Sequence, residues 1–412
     1  VPSVDLDSTD VVPLDGRLAS DAIERAATAP FAFYVHIPFC ATRCGYCDFN
    51  TYTARELTAR DGSAIVSRES YAALVRHEVR LARRVLENVD LPAQSVFFGG
   101  GTPSLLPAAD LVSVVDTIRD EFGLTPDAEI TTEANPESVS PRFLEQLRDG
   151  GFTRVSLGMQ SAAKHVLQVL DRQHSPGRAV AAAREARAAG FEHINLDLIY
   201  GAPGESDDDW RATLDVVLDA PVDHVSAYAL IVEEGTALAR RIARGEIAEP
   251  DDDVHADRYE MADAVLSAAG FGWYEVSNWA RGPQARCRHN EIYWSGAGWW
   301  GAGPGAHSHV GGVRWWNVKH PAAYASRVGG GLSPAQGRET LTAEQSAMER
   351  VMLGIRMRKG IELGELSPRA RAETPAMVTY GLLDAAALDA GRVVLTLRGR
   401  LLADAVIRDL VD

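Results

Sequence analysis

With 412 residues, 46% hydrophobic and 24% charged, the chain has an ordinary globular composition and exceeds one average domain, although a single α/β barrel takes up most of such a length. Its formal net charge of -16 disfavours nucleic acid as a partner, because phosphate backbones are bound by basic surface that displaces counterions. No run of about eighteen apolar residues is present to span a membrane, and the acidic N-terminus VPSVDLDSTDVVPLDG lacks the basic-then-apolar pattern of an export signal, so a cytoplasmic protein is expected.

Residues 1–30 read as an N-terminal extension. Beyond them β runs alternate with helical patterns, without a sequence repeat. The predicted strands are Phe31–Ile37, Ser95–Phe98, Glu129–Glu133, Arg154–Leu157, His193–Ile199 and His224–Leu230, rich in Val, Ile, Phe and Thr. Between the first two, Val75, Val79, Ala82 and Leu86 fall on one helical face, with Arg76, Glu78, Arg80 and Arg83 around it. Ser175-Pro176 is predicted to cap and open a helix that Gly190 ends, and Ser206 to cap another whose first turn carries Asp207, Asp208 and Asp209.

Such alternation implies parallel strands whose C-terminal ends gather on one face, the usual place for ligands. Cys40 follows the first strand, Gly99-Gly100-Gly101-Thr102 the second, Glu133 ends the third, Gln160 follows the fourth, Asp197 lies in the fifth and Tyr228 in the sixth. The fold class is therefore α/β, an incomplete barrel of about six βα units within a domain spanning 31–270. Residues 271–340 form a Trp, Gly and His-rich segment, and 341–412 a small separate unit. There Thr342 and Gln345 make a capping box before a helix, and the tail reads as turn, β-hairpin and final helix, a winged-helix-like α+β shape.

Three of the four cysteines lie between positions 40 and 47, a ligand cluster rather than a disulfide framework. CATRCGYC gives C-x3-C-x2-C, which lets one short loop wrap three corners of a cuboidal cluster; clusters normally take four thiolates, so the fourth iron either takes a cysteine from elsewhere in the chain or is left open. The alternative is zinc on Cys40, Cys44, Cys47 and a histidine such as His36. Tyr46 and Phe49 are placed to shield such a centre.

YVHIPFCATRCGYCDF, GGGTPS, TEANPE, SLGMQS, NLDLIYGAPGE, YEVSNWA, CRHNEIYW and GAGPGAHS together resemble the radical-SAM superfamily, in the branch of the oxygen-independent coproporphyrinogen III oxidases and their haem-chaperone relatives. The resemblance runs from about residue 31 to the C-terminus. It implies an incomplete (β/α)6 barrel, a 4Fe-4S cluster on Cys40, Cys44 and Cys47, and S-adenosylmethionine (SAM) on the open iron, with reductive cleavage to methionine and a 5'-deoxyadenosyl radical. The family's SAM contacts match here as Tyr34, Gly100, Gly101, Thr102, Glu133, Gln160, Arg172 and Asp197. Their chemistry suits the task, since carboxylates attract ammonium and sulfonium charge and Arg172 answers the methionine carboxylate. Read from the residues alone, the glycines could equally make a turn, the charged groups a rim salt bridge, and Tyr34 core.

The oxidases carry a fourth cysteine where this chain has Phe49, and a longer segment ahead of the first strand; both departures favour the haem-chaperone branch. The resemblance then implies haem as a ligand, its delivery to haem-accepting respiratory proteins, an electron donor, and peripheral membrane contact. His289, Asn290, Tyr293 and Trp294 reproduce the HNxxYW motif that the family links to haem, with imidazole as an axial ligand and the aromatics as flat contacts. An aromatic turn with His289 capping backbone is the bland alternative. His307 is a second histidine candidate, and Cys287 is read as a buried thiol. Oxidative decarboxylation of coproporphyrinogen III, methyl transfer and cyclopropanation are the competing activities within the family.

Overall fold

The computed structural model describes residues 11–57, 66–87, 89–172, 175 and 177–411. Twelve strands form its main sheet: β1 Phe31–Ile37, β2 Ala93–Gly100, β3 Leu124–Ala134, β4 Arg154–Gln160, β5 His193–Tyr200, β6 His224–Ala229, β7 Gly272–Glu275, β8 Asn278–Ala280, β9 Gly298–Ala302, β10 His307–Val310, β11 Val313–Asn317 and β12 Ala335–Thr340. Their order is β12-β11-β10-β9-β1-β2-β3-β4-β5-β6-β8-β7. β1 to β6 pair in parallel, each with the next in sequence, and β9 adds in parallel to β1. The remaining pairs are antiparallel. The predicted strands thus form the centre of the sheet, and the Trp, Gly and His-rich segment builds both of its edges.

Alternation along each strand separates two environments. Phe33, Val35, Val96, Phe98, Ile130, Val155, Leu157, Ile194, Leu196 and Val225 face the helical layer and join one apolar core. The opposite, inward face carries Tyr34, His36, Ser95, Glu129, Glu133, Arg154, Ser156, Asn195, Asp197, His224 and Ser226, an unusual concentration of polar groups for strands so deeply placed. The helix Arg68–Val85 buries Tyr71, Ala72, Val75, Val79, Ala82 and Val85 against that core, and the Ser67 hydroxyl accepts the Ser70 N–H at its start. Ser206 and Asp209 form a capping box on the helix Asp207–Leu218, as Thr342 and Gln345 do on Ala343–Gly354.

Two local expectations differ. The helix Arg178–Ala188 is preceded by Gly177 in the left-handed region, φ 74°, so Ser175 contributes only its carbonyl, to the Arg178 N–H; Pro176 lies outside the described residues. In the C-terminal unit the expected hairpin is replaced by a ribbon between Ile361–Glu362 and Arg392–Val393. Leu397–Leu401 is helical, and the Thr396 hydroxyl accepts the Gly399 N–H at its start. This α+β unit gathers Val351, Ile355, Met377, Val393, Ile407 and Leu410 into an apolar cluster of its own.

Candidate functional site

At the C-terminal ends of β1 to β6 the sheet opens into a cavity of about 700 Å³. Cys40, Cys44 and Cys47 line it from the loop after β1, Gly100, Gly101 and Thr102 from the end of β2, Glu133 from β3, Gly158 and Gln160 from β4, Asp197 from β5 and Tyr228 from β6, with Arg172 between β4 and β5. The three cysteines are free thiols. Their loop is anchored on both sides. Asn50 donates from Nδ2 to the carbonyls of Pro304 and Lys319, at 2.9 and 2.8 Å, and the N–H groups of Gly101 and Thr102 donate to Ile37 and Phe39, at 2.7 and 2.8 Å. Only glycine fits against the backbone at Gly101, where a Cβ would stand 2.5 Å from the Phe39 oxygen; one on Gly45 would stand 2.4 Å from Asp171 Oδ2 and push that side chain aside.

The residues present fit a cluster and a cationic ligand. Arg172 donates from Nη1 to Cys44 Sγ at 3.3 Å, while its buried Nε lacks a partner, a donor left for something within the cavity. Gln160, φ 67°, and Asp171, φ 52°, take left-handed backbone that side chains avoid, and such strain collects at functional sites. Burial, and then the charge of Asp197, push Glu133 up to about 8, against the pull of the Gly100 N–H. Asp197 is also raised by burial, although Ser156, Ser226 and Asn195 hydrogen-bond it. Two buried carboxyls, both raised despite the Arg172 guanidinium in the same cavity, suit a ligand that brings further positive charge. Burial raises the Cys40 thiol and pushes Cys47 up to about 11, so a metal centre is what would draw these thiolates out.

His36 does not complete a zinc site. Its Nε2 meets the Asn50 carbonyl at 2.8 Å and its Nδ1 the Tyr34 hydroxyl at 3.1 Å, which leaves no lone pair for a metal. Tyr46 lines the cavity half-buried, whereas Phe49 stands at its mouth 60% exposed and shields little.

Tyr34 is the one SAM candidate outside the cavity lining. It lies below, stacked on Phe97 and His289 with ring centroids 6.3 and 6.2 Å away. The HNxxYW residues lie at the other end of the barrel. Arg154 of β4 pairs with Glu129 of β3 at 2.9 Å and donates from Nη2 to the carbonyls of Ala285 and Arg286. Glu129 accepts the His289 N–H, and His224 of β6 reaches the Tyr274 hydroxyl at 2.8 Å. The chain from Tyr274 to Trp294 is thereby tied across the barrel as its floor. His289, 1% exposed, spends Nδ1 on Ser95 and Nε2 on Tyr293, at 2.7 and 2.9 Å, and burial holds it neutral, down to about 3. Asn290 and Trp294 bond Glu275, which burial pushes up to about 7. Cys287 is buried with its thiol 3.5 Å from Glu129. His307 is exposed, its ring stacked on Trp316.

Ser156, Asn195, His224, Ser226 and Tyr274 were not singled out from sequence. The signal was present, as polar residues recurring at period two, Arg154 and Ser156, Asn195 and Asp197, His224 and Ser226, inside runs otherwise read as buried strand.

Comparison with known proteins agrees with this geometry. Residues 34–217 match the radical SAM superfamily. The Mycobacterium tuberculosis protein named heme chaperone HemW is 56% identical over 383 residues, 93% of this chain and 95% of that protein. The Synechocystis heme chaperone HemW is 34% identical across 82% of this chain and 80% of its own length. Coproporphyrinogen III oxidase (HemN) from Escherichia coli, a radical SAM enzyme, superposes with a TM-score of 0.79 at 22% identity, covering 98% of this chain and 96% of that one, which speaks for the fold alone. Identity sustained over nearly the whole length, on a parallel sheet with three thiols at its mouth, means that the chain belongs to the HemW family of the radical SAM superfamily.

Proposed function

We propose that this protein holds a 4Fe-4S cluster on Cys40, Cys44 and Cys47, binds SAM in the cavity beside it, and carries haem to haem-dependent respiratory proteins. The observation that carries the reading is the convergence of three thiols, two carboxyls of raised pKa and an arginine with an unused donor on one cavity, in a chain 56% identical to a heme chaperone. Bound there, the cluster would offer its open iron to the amino and carboxylate groups of SAM and an electron, supplied by a separate donor, to the sulfonium. Arg172 is positioned to meet a carboxylate and to neutralise the thiolate of Cys44. Glu133 and Asp197 attract the cationic parts or ribose hydroxyls, and Gly100 and Gly101 let backbone come close. Tyr34 acts through the Tyr34–His36–Asn50 contacts that hold the cluster loop rather than by touching the cavity.

Haem is assigned to the floor segment, with His289, Asn290, Tyr293 and Trp294 as its residues. Iron reaches the His289 imidazole only once Ser95 or Tyr293 releases a ring nitrogen, so haem ligation there requires the floor helix Arg288–Trp294 to move. Peripheral contact with a membrane fits delivery to respiratory proteins, and among the described residues no helix is long and apolar enough to cross one. The test is an anaerobic haem titration alongside a coproporphyrinogen III turnover assay on one preparation. Haem binding without turnover is expected, and weaker haem binding in His289→Ala with iron content unchanged. Turnover of coproporphyrinogen III would overturn the chaperone reading, and unchanged haem affinity would remove His289 from the site.

A further inference from the structure

Between the floor and the cavity runs a line of buried polar side chains that the proposed function leaves unused. Asn195 Nδ2 stands 2.8 Å from Asp197 Oδ1, and 2.6 and 2.9 Å from the hydroxyls of Ser156 and Ser226. Turning the amide over would set its oxygen against the carboxylate, acceptor against acceptor. Asn195 Oδ1 therefore faces His224 Nδ1, at 2.7 Å, and since an amide oxygen only accepts, Nδ1 carries the proton. Burial and the Arg154 charge keep this imidazole neutral. Its Nε2 then has a lone pair and accepts a hydrogen bond from the Tyr274 hydroxyl, at 2.8 Å, while the Tyr274 oxygen accepts the Cys287 N–H at 3.2 Å. Every donor points the same way, from the residue that precedes the floor helix to Asp197.

We infer that Tyr274, His224 and Asn195 are positioning residues for Asp197, a one-way hydrogen-bond chain through which the seat of the floor segment sets how Asp197 meets SAM. The inference rests on the reading that Asp197 contacts SAM. Chains of this kind act as a unit, since each member fixes the tautomer or rotamer of the next. The coupling is reciprocal, so whatever displaces the Cys287–Trp294 floor also weakens SAM, and SAM resists that displacement. The loss of one such bond, at about 1 kcal/mol, corresponds to about fivefold in affinity.

The experiment measures SAM affinity of the cluster-loaded protein and the ring-nitrogen NMR signals of 15N-histidine-labelled protein, for the wild type, Tyr274→Phe, Asn195→Asp and Val225→Ala. Val225, on the apolar face beside His224, controls for a purely structural loss. The expected result is a His224 proton on Nδ1, and a SAM dissociation constant raised about fivefold in Tyr274→Phe and further in Asn195→Asp, with iron content unchanged and Val225→Ala like the wild type. A proton on Nε2 in the wild type overturns the chain's direction, whatever SAM does. Wild-type affinity in Tyr274→Phe and Asn195→Asp, or an equal loss in Val225→Ala, overturns the coupling. Failure of the loaded wild type to bind SAM overturns the assignment of Asp197 itself, and with it this inference.

Discussion

Replacing Arg154 by methionine keeps an apolar stem in the lumen and removes the guanidinium that joins the barrel wall to its floor. Arg154 is 1% and Glu129 5% exposed. Their 2.9 Å contact is accompanied by two bonds from Nη2 to floor carbonyls, at 2.8 and 2.9 Å. The substitution strands a buried carboxylate with the Cys287 thiol and the Arg288 and His289 N–H groups near it but no countercharge bonded to it, and breaking one side of a buried pair costs about 3–5 kcal/mol. Glu129→Gln in the same background removes the stranded charge, so the double variant is expected to be more stable than Arg154→Met alone by about 2 kcal/mol. Urea unfolding of the anaerobic protein at constant slope reads both differences. The pH dependence has a defined sign. Although burial opposes it, Arg154 holds Glu129 below its ordinary 4.5, so the wild type gains stability above that value and loses it as pH falls through the depressed one. In Arg154→Met the same carboxyl rises instead, and the gap between the two proteins narrows toward acid. A loss under about 1 kcal/mol, or a Glu129→Gln change that adds to the damage, would refute this account of the floor.

Two further perturbations address the cavity. Because burial and Asp197 push Glu133 up to about 8, its carboxyl contributes stability that is complete below the unfolded value of 4.5 and is lost as pH rises through about 8; a cationic ligand reverses this preference, so SAM binding should release a proton and tighten from about pH 6 to 8. Calorimetry in buffers of different ionisation enthalpy checks it, and Glu133→Gln should abolish the pH slope; a slope retained in that variant would place the titrating group elsewhere. Gly101→Ala drives a Cβ to 2.5 Å from the Phe39 oxygen, next to Cys40, whereas a Cβ on Gly364 meets nothing within 4 Å. Gly101→Ala should therefore lower iron and sulfide per chain several-fold and Gly364→Ala should not, as elemental analysis after reconstitution would show.

The central strands and the cavity residues were legible because each rests on local signals. β-branched and aromatic runs mark strands, helix caps such as Ser206 and Thr342 mark starts, and the C-x3-C-x2-C loop falls directly after the first strand. What lies across the barrel was not legible. His289 is tied to Ser95 and Glu129, about 194 and 160 residues earlier in the chain, and neither propensity nor periodicity reports contacts at that range. The ring contacts of Tyr34 with His289 and Phe97 beneath the cavity were likewise not legible, since its place in the motif marks it only as a SAM contact. The hairpin expected in the tail but not formed is of another kind: the β-favouring run ends where Thr396 caps the helix Leu397–Leu401.

The claim on which the account depends is that three thiols on one loop leave one iron free for SAM. It is tested most directly by reconstituting the protein without oxygen, measuring metal and sulfide, and recording the electron paramagnetic resonance of the reduced sample with and without SAM. About four iron and four sulfide per chain, lost together in Cys44→Ala, with a spectrum that shifts when SAM is added, is the expected result. Zinc without sulfide, or a cluster whose spectrum ignores SAM, would contradict it.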